Sequence, residues 1–142
     1  MKVHKNNPDI FGKAIKDFHL HGKADDIVVH SPDFDDDGIP VDYLFRNYSE
    51  MPPLEQKALQ KCRGRVLDIG CGAGSHALYL QEEKGLQVTA IDTSEGAIEV
   101  CSLRGIKDVR TVSFEDFSGE QFDTLLEAKV LIERCASLRP AP

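Results

Sequence analysis

The stretch VLDIGCGAGSHALYL, residues 66 to 80, constrains this chain more than any other. An apolar, strand-like run feeds directly into three glycines, and a helical pattern follows at once. A strand–glycine turn–helix unit leaves backbone N–H groups exposed and lets a ligand approach the main chain closely. Many ligands use such a turn, so the spacing has to narrow the choice. Gly70, Gly72 and Gly74 read G-x-G-x-G, whereas the dinucleotide pattern asks for Gly or Ala at position 75, which here is Ser75. Asp68 stands two residues before the first glycine, at the carboxyl end of the strand. A carboxylate there repels a pyrophosphate and attracts a cation.

From residue 65 onward the pattern is regular. RVLDIG, QVTAID, KDVRTVSF and FDTLL (122–126) read as four strands. Between the first three lie GSHALYLQEEKG, stopped by Gly85, and SEGAIEVCSLRG, with Ser94 as N-cap and Gly105 past its end. Strands alternating with helices of this length predict an α/β fold, a Rossmann-like parallel sheet of about four strands with helices on both faces.

The region before it is less regular. A helix is predicted near 8–21, with Asn7 as N-cap and Pro8 in its first turn. DIVVHS (26–31) reads as a short strand, SPDFDDDGIP as a polar turn, VDYLFRNY as strand or helix, and 52–62 as a short helix. The expected boundary gives a cap or lid at 1–61 and an α/β domain at 62–142.

Composition removes several classes. The 142-residue chain carries a formal net charge of −7, which disfavours nucleic acid and anionic membrane as partners. No apolar run reaches the ~18 residues of a membrane span, and the N-terminus has no signal-peptide core, so a cytoplasmic chain with reduced thiols is expected. The four cysteines lack CxxC spacing, and the Asp33–Asp35–Asp37–Gly38 run has Leu44 where a calcium loop needs Glu. His19 and His21 point apart on a helix, so no metal site is expected.

Asp92 ends the second strand, 18 residues after Gly74, where an acidic side chain accepts hydrogen bonds from ribose hydroxyls. A ligand with a ribose, positive charge and no required phosphate fits S-adenosylmethionine. VLDIGCGAG resembles the first motif of class I S-adenosylmethionine-dependent methyltransferases, and VTAIDTSEGAIEVCSLRGI resembles the second. IPVDYLFRNYSEMPPLEQKAL is similar to the N-terminal segment of small bacterial members. The resemblance implies that Asp68, Gly70, Gly72 and Gly74 line the methionine end of the cofactor. It implies that Asp92 binds the ribose, that Glu115 or Asp116 in SFEDF contacts adenine, and that Cys71 and Thr93 also belong to the cofactor site. Arg46, in a segment that folds as a lid in similar proteins, is either a ligand for the methionine carboxylate or a surface arginine beside Tyr43 and Tyr48. His76 either touches the cofactor or closes the pocket edge.

The resemblance further implies methyl transfer to a small-molecule acceptor, with no residue marking the acceptor atom. The family's sheet has seven strands and this chain supplies four, so a C-terminally truncated member is expected. The alternative is a non-catalytic cofactor-binding fragment. EAKVLIERCASLRPAP is predicted to form one amphipathic helix over 127–138. FDTLL, with an unpaired outer edge, is expected to favour self-association.

Overall fold

The computed structural model describes residues 9–31, 34–127 and 136–139. Its centre is a parallel four-stranded sheet of β3 (Arg65–Ile69), β4 (Gln87–Asp92), β5 (Asp108–Thr111) and β6 (Thr124–Glu127), in the order β5-β4-β3-β6. The register sets Asp68 beside Ala90 on one side and Leu126 on the other. The strand order reverses at β3, and in open parallel sheets ligands bind at the carboxyl ends beside such a reversal.

The connections are helical where the pattern indicated. α3 (Ser75–Glu82) joins β3 to β4, and α4 (Glu95–Leu103), capped by the Ser94 side chain, joins β4 to β5. Leu59 of α2 (Pro53–Lys61), Ala77 and Leu80 of α3 and Cys101 of α4 pack with Val66, Val88 and Ala90 into one buried cluster. These strand residues alternate with Leu67, Thr89 and Ile91, which are buried on the opposite face. There Arg65 and Arg110 both pair with Glu120, and Arg65 stacks over Phe122.

A second, antiparallel sheet sets β1 (Asp26–Ser31) between β2 (Phe34–Ile39) and β7 (Ala136–Arg139). Two sequence expectations fail here. SPDFDDDGIP is not all turn: Phe34–Ile39 forms β2, with Ile39 opposite Ile27. β2 is an edge strand, and Asp35 and Asp37 are exposed on it, so pairing with β1 overrides the turn propensity of the aspartates. The tail is not one helix either. Glu127 ends β6, and Ala136–Arg139 forms β7, antiparallel to the other edge of β1; residues 128–135 lie outside the described residues.

α1 (Ile10–His21) starts later than predicted. Its N-cap is Asp9, not Asn7, and both Asn7 and Pro8 lie outside the described residues. VDYLFRNY resolves into two 3-10 helices, Val41–Phe45 and Tyr48–Glu50. Among the described residues no helix is long and apolar enough to cross a membrane.

α1 lies across α4 at a point where neither helix has a side chain. A Cβ added at Gly96 would stand 2.6 Å from the Gly12 backbone. Asp9 fastens this crossing. Its carboxylate accepts from Gly12 N at 2.9 Å, from Ser94 Oγ at 2.8 Å and from Gly96 N at 2.9 Å. One side chain therefore caps α1 and reaches into the first turn of α4, satisfying orphan N–H donors in both.

Candidate functional site

The glycine turn follows β3 as expected and is held from three sides. Cys71 N–H donates to Ile91 O at 3.0 Å, and Gly74 N–H to Cys71 O at 2.9 Å. Arg104 Nη1 donates to Ala73 O at 2.7 Å. Two of the glycines do different work. Gly74 has φ +88°, and a Cβ there would lie 2.5 Å from Ile106 Cδ1, so it allows α4 and its following turn to close on the sheet. Gly70 has φ +67°, and a Cβ there would meet nothing within 4 Å. The main chain at Gly70 therefore faces open space. At Gly72 the nearest side chain is Phe11 of α1, whose ring lies 3.7 Å from where a Cβ would stand.

The two carboxylates read from the sequence have opposite surroundings. Asp68 is 1% exposed, and neither oxygen has a hydrogen-bond partner. Burial pushes its carboxyl up to about 7, and the Asp92 charge adds to this. The Ala77 N–H, in the first turn of α3 and outside hydrogen-bond geometry, works against the shift and is the weakest of the three influences. Asp92 is satisfied by backbone: Gly72 N–H donates to Oδ2 and Ser94 N–H to Oδ1, both at 2.9 Å. It pins the glycine turn to the start of α4.

The remaining predicted residues are placed as follows. The Cys71 side chain turns inward, its Sγ 3.7 Å from Cys101 Sγ; that contact, then burial, pushes the thiol up. Thr93, Glu115 and Asp116 are exposed. Asp116 Oδ2 accepts from Ser113 Oγ at 3.0 Å, whereas the Glu115 carboxylate is unengaged among the described residues.

Arg46 forks onto Glu55, with Nη1 and Nη2 at 3.1 and 2.9 Å from its two oxygens. His76 Nε2 lies 2.6 Å from the same Glu55 Oε1. Burial works to raise the Glu55 carboxyl, but its hydrogen bonds to Arg46 and His76 outweigh that and lower it. Sequence reasoning considered Arg46 and His76 separately and missed Glu55. Residues nine and twenty-one positions away carry no local sign that they share a partner.

The comparisons with known proteins agree with this architecture. Residues 66–135 match a methyltransferase domain family. The crystal structure of a SAM-dependent methyltransferase from Bacteroides fragilis, in complex with S-adenosyl-L-homocysteine, is 46% identical, with a TM-score of 0.80. The match covers 87% of this chain and 52% of that one. A ubiquinone biosynthesis O-methyltransferase of Xanthomonas euvesicatoria is 35% identical over 56% of this chain and 40% of its own length. A ribosomal RNA small subunit methyltransferase C of Shewanella amazonensis is 48% identical over 32% of this chain and 14% of its own length. The chain belongs to the class I S-adenosylmethionine-dependent methyltransferases. It spans well under half the length of these curated relatives, and their names point to different acceptors.

Proposed function

We propose that this chain binds S-adenosylmethionine at the carboxyl ends of β3 and β4 and takes part in methyl transfer to a small-molecule acceptor. The observation that carries the reading is the buried, unpartnered Asp68 carboxylate beside a glycine turn that is open at Gly70. A buried polar group without a partner costs stability, so a native one needs a reason. A cationic ligand group facing Asp68 provides it. The residues present therefore fit the cofactor.

When bound, S-adenosylmethionine supplies a methyl group already activated by its sulfonium. The chain's own tasks are to bind, orient and exclude water. Asp68 offers negative charge toward the ammonium and sulfonium. The Gly70 backbone leaves room for the ligand to pass. Asp92 faces the ribose hydroxyls in this reading, while its bonds from Gly72 N–H and Ser94 N–H keep the turn in place. Glu115 is the better adenine candidate, because the Asp116 carboxylate is engaged by Ser113. Arg46 is committed to Glu55, so in this reading it holds Glu55 in place and is not a ligand for the methionine carboxylate.

Calorimetry with S-adenosylhomocysteine tests the reading. Asp92→Ala is expected to weaken binding by about 1–3 kcal/mol, the scale of lost charge-assisted hydrogen bonds. Unchanged affinity in a folded variant would remove Asp92 from the site, and no binding to the native chain would remove the cofactor assignment. Self-association through the β6 edge, where Leu125 is 58% exposed, belongs to the same proposal. Light scattering at several concentrations checks it, and a monomer throughout would end it.

A further inference from the structure

Beside the glycine turn lies a cavity of about 250 Å³. It opens where β6 ends, between α2 and the first turn of α3. Leu54, Leu59 and Leu126 give it apolar walls, and Glu55, His76 and Glu127 bring the polar groups. None of Gly70, Gly72 and Gly74 lines it, so it sits next to the proposed cofactor site and not over it. A dry cavity of about 150 Å³ holds a benzene ring, so this one has room for a single substituted ring.

Its polar groups are organised. Arg46 fixes Glu55 through two parallel hydrogen bonds, and Glu55 fixes His76 through Nε2. An ionised carboxylate has no proton to give, so Nε2–H donates to Glu55; the tautomer that makes this bond with an uncharged ring carries its lone pair on Nδ1. Among the described residues Nδ1 makes no hydrogen bond. The carboxylates of Glu55 and Glu127 disfavour an anionic occupant. What remains is a neutral, mainly apolar molecule with an O–H to donate.

We infer that this cavity is the acceptor pocket, that it takes a neutral single-ring hydroxy compound of the phenol type, and that His76 Nδ1 accepts the hydroxyl proton. The acceptor O–H bond breaks, an N–H bond forms at Nδ1, and the electron pair stays on oxygen, which becomes the nucleophile. Glu55 stabilises the imidazolium and Arg46 holds Glu55 in place, so these two are positioning residues. The inference rests on the methyltransferase reading above, but its test does not require the cofactor.

The probes are phenol, its methyl ether anisole, and benzoate, each titrated into the full chain and followed by ligand-detected NMR. The same samples report the His76 ring nitrogens. Phenol is expected to bind about fivefold tighter than anisole, the scale of one hydrogen bond. Benzoate is expected not to compete, and phenol alone is expected to shift the Nδ1 resonance. In His76→Ala the phenol–anisole gap should close while anisole affinity holds. A merely structural His76 would instead weaken both ligands together. Equal affinity for phenol and anisole in the native chain overturns the inference, as does an unmoved Nδ1 signal or a gap that survives His76→Ala. The native-chain comparisons decide the matter even if the variant does not fold. Titration with S-adenosylhomocysteine alongside separates the two readings. S-adenosylhomocysteine binding without phenol binding sinks the pocket and leaves the cofactor reading; phenol binding without S-adenosylhomocysteine binding removes the cofactor reading and leaves a phenol site that is not an acceptor pocket.

Discussion

The ends of β3 and β4 are neighbours in one sheet, and each carries an aspartate, yet the two are built on opposite principles. At the end of β4 the polar groups are satisfied. Asp92 takes N–H donors from both the glycine turn and the start of α4, and Asp9 adds a second carboxylate one turn further on. At the end of β3 the demands are left open. Asp68 is sealed from water without a partner, and Gly70 faces empty space. The satisfied end fixes geometry, and the open end is where the proposed cofactor would supply what the protein itself lacks. Proteins tolerate local cost at functional sites and stabilise the fold elsewhere.

The largest expected effect tests the open end. The folded Asp68 carboxyl sits at about 7, above its ordinary 3.8, so the fold favours the protonated form. Its contribution to stability is therefore full below about pH 4 and is lost as pH rises through 7. Between pH 5 and pH 8 the native chain should lose about 2–3 kcal/mol through this group. Urea unfolding at both pH values reads it, and Asp68→Asn should lack that part of the slope. A saturating cationic ligand should flatten the slope as well, because it stabilises the ionised form. An Asp68→Asn slope equal to the native one would show that Asp68 is not the strained group.

Next comes the satisfied end. Asp9→Ala removes an acceptor shared by Gly12 N–H, Ser94 O–H and Gly96 N–H. About 2 kcal/mol of stability should go with it, an N-cap plus part of the second helix's caps. Hydrogen exchange should show α1 opening ahead of the sheet. Uniform loss of protection across both would mean that α1 and the sheet unfold as one unit and that the clamp is not local.

The sequence carried the parallel sheet, α3, α4 and the Ser94 cap, because each of these is written in a short, periodic segment. The glycine turn and its two aspartates were legible for the same reason. What escaped was long-range. Phe34–Ile39 looks like a turn until β1 supplies its hydrogen-bond partners, and residues 136–139 read as helix because nothing local says that β1 has a second free edge. Asp9 bonds residues more than eighty positions away, and Glu55 of α2 joins Arg46, just past the first 3-10 helix, to His76 of α3. Charge and spacing singled out Asp68 and Asp92 as the two carboxylates at the strand ends. They could not reveal that Asp68 is orphaned or that Asp92 is tied down, since both depend on how the turn folds back over the strand ends.

The smallest expected effect on stability is also the sharpest division between the two ends. Gly70 has positive φ and no neighbour where a side chain would go, unlike Gly74, whose added Cβ would press on Ile106 and Cys101. Gly70→Ala should therefore cost only the backbone strain, about 1 kcal/mol, with no steric term. Its methyl group nevertheless projects into the space that the ligand is proposed to use. A small drop in the unfolding midpoint together with at least a tenfold loss of S-adenosylhomocysteine affinity is the expected pair of results. Strain and ligand exclusion separate here because only the second depends on what passes the main chain. Retained affinity alongside the same small drop would mean that the ligand does not pass Gly70, and that the opening at the end of β3 serves something else.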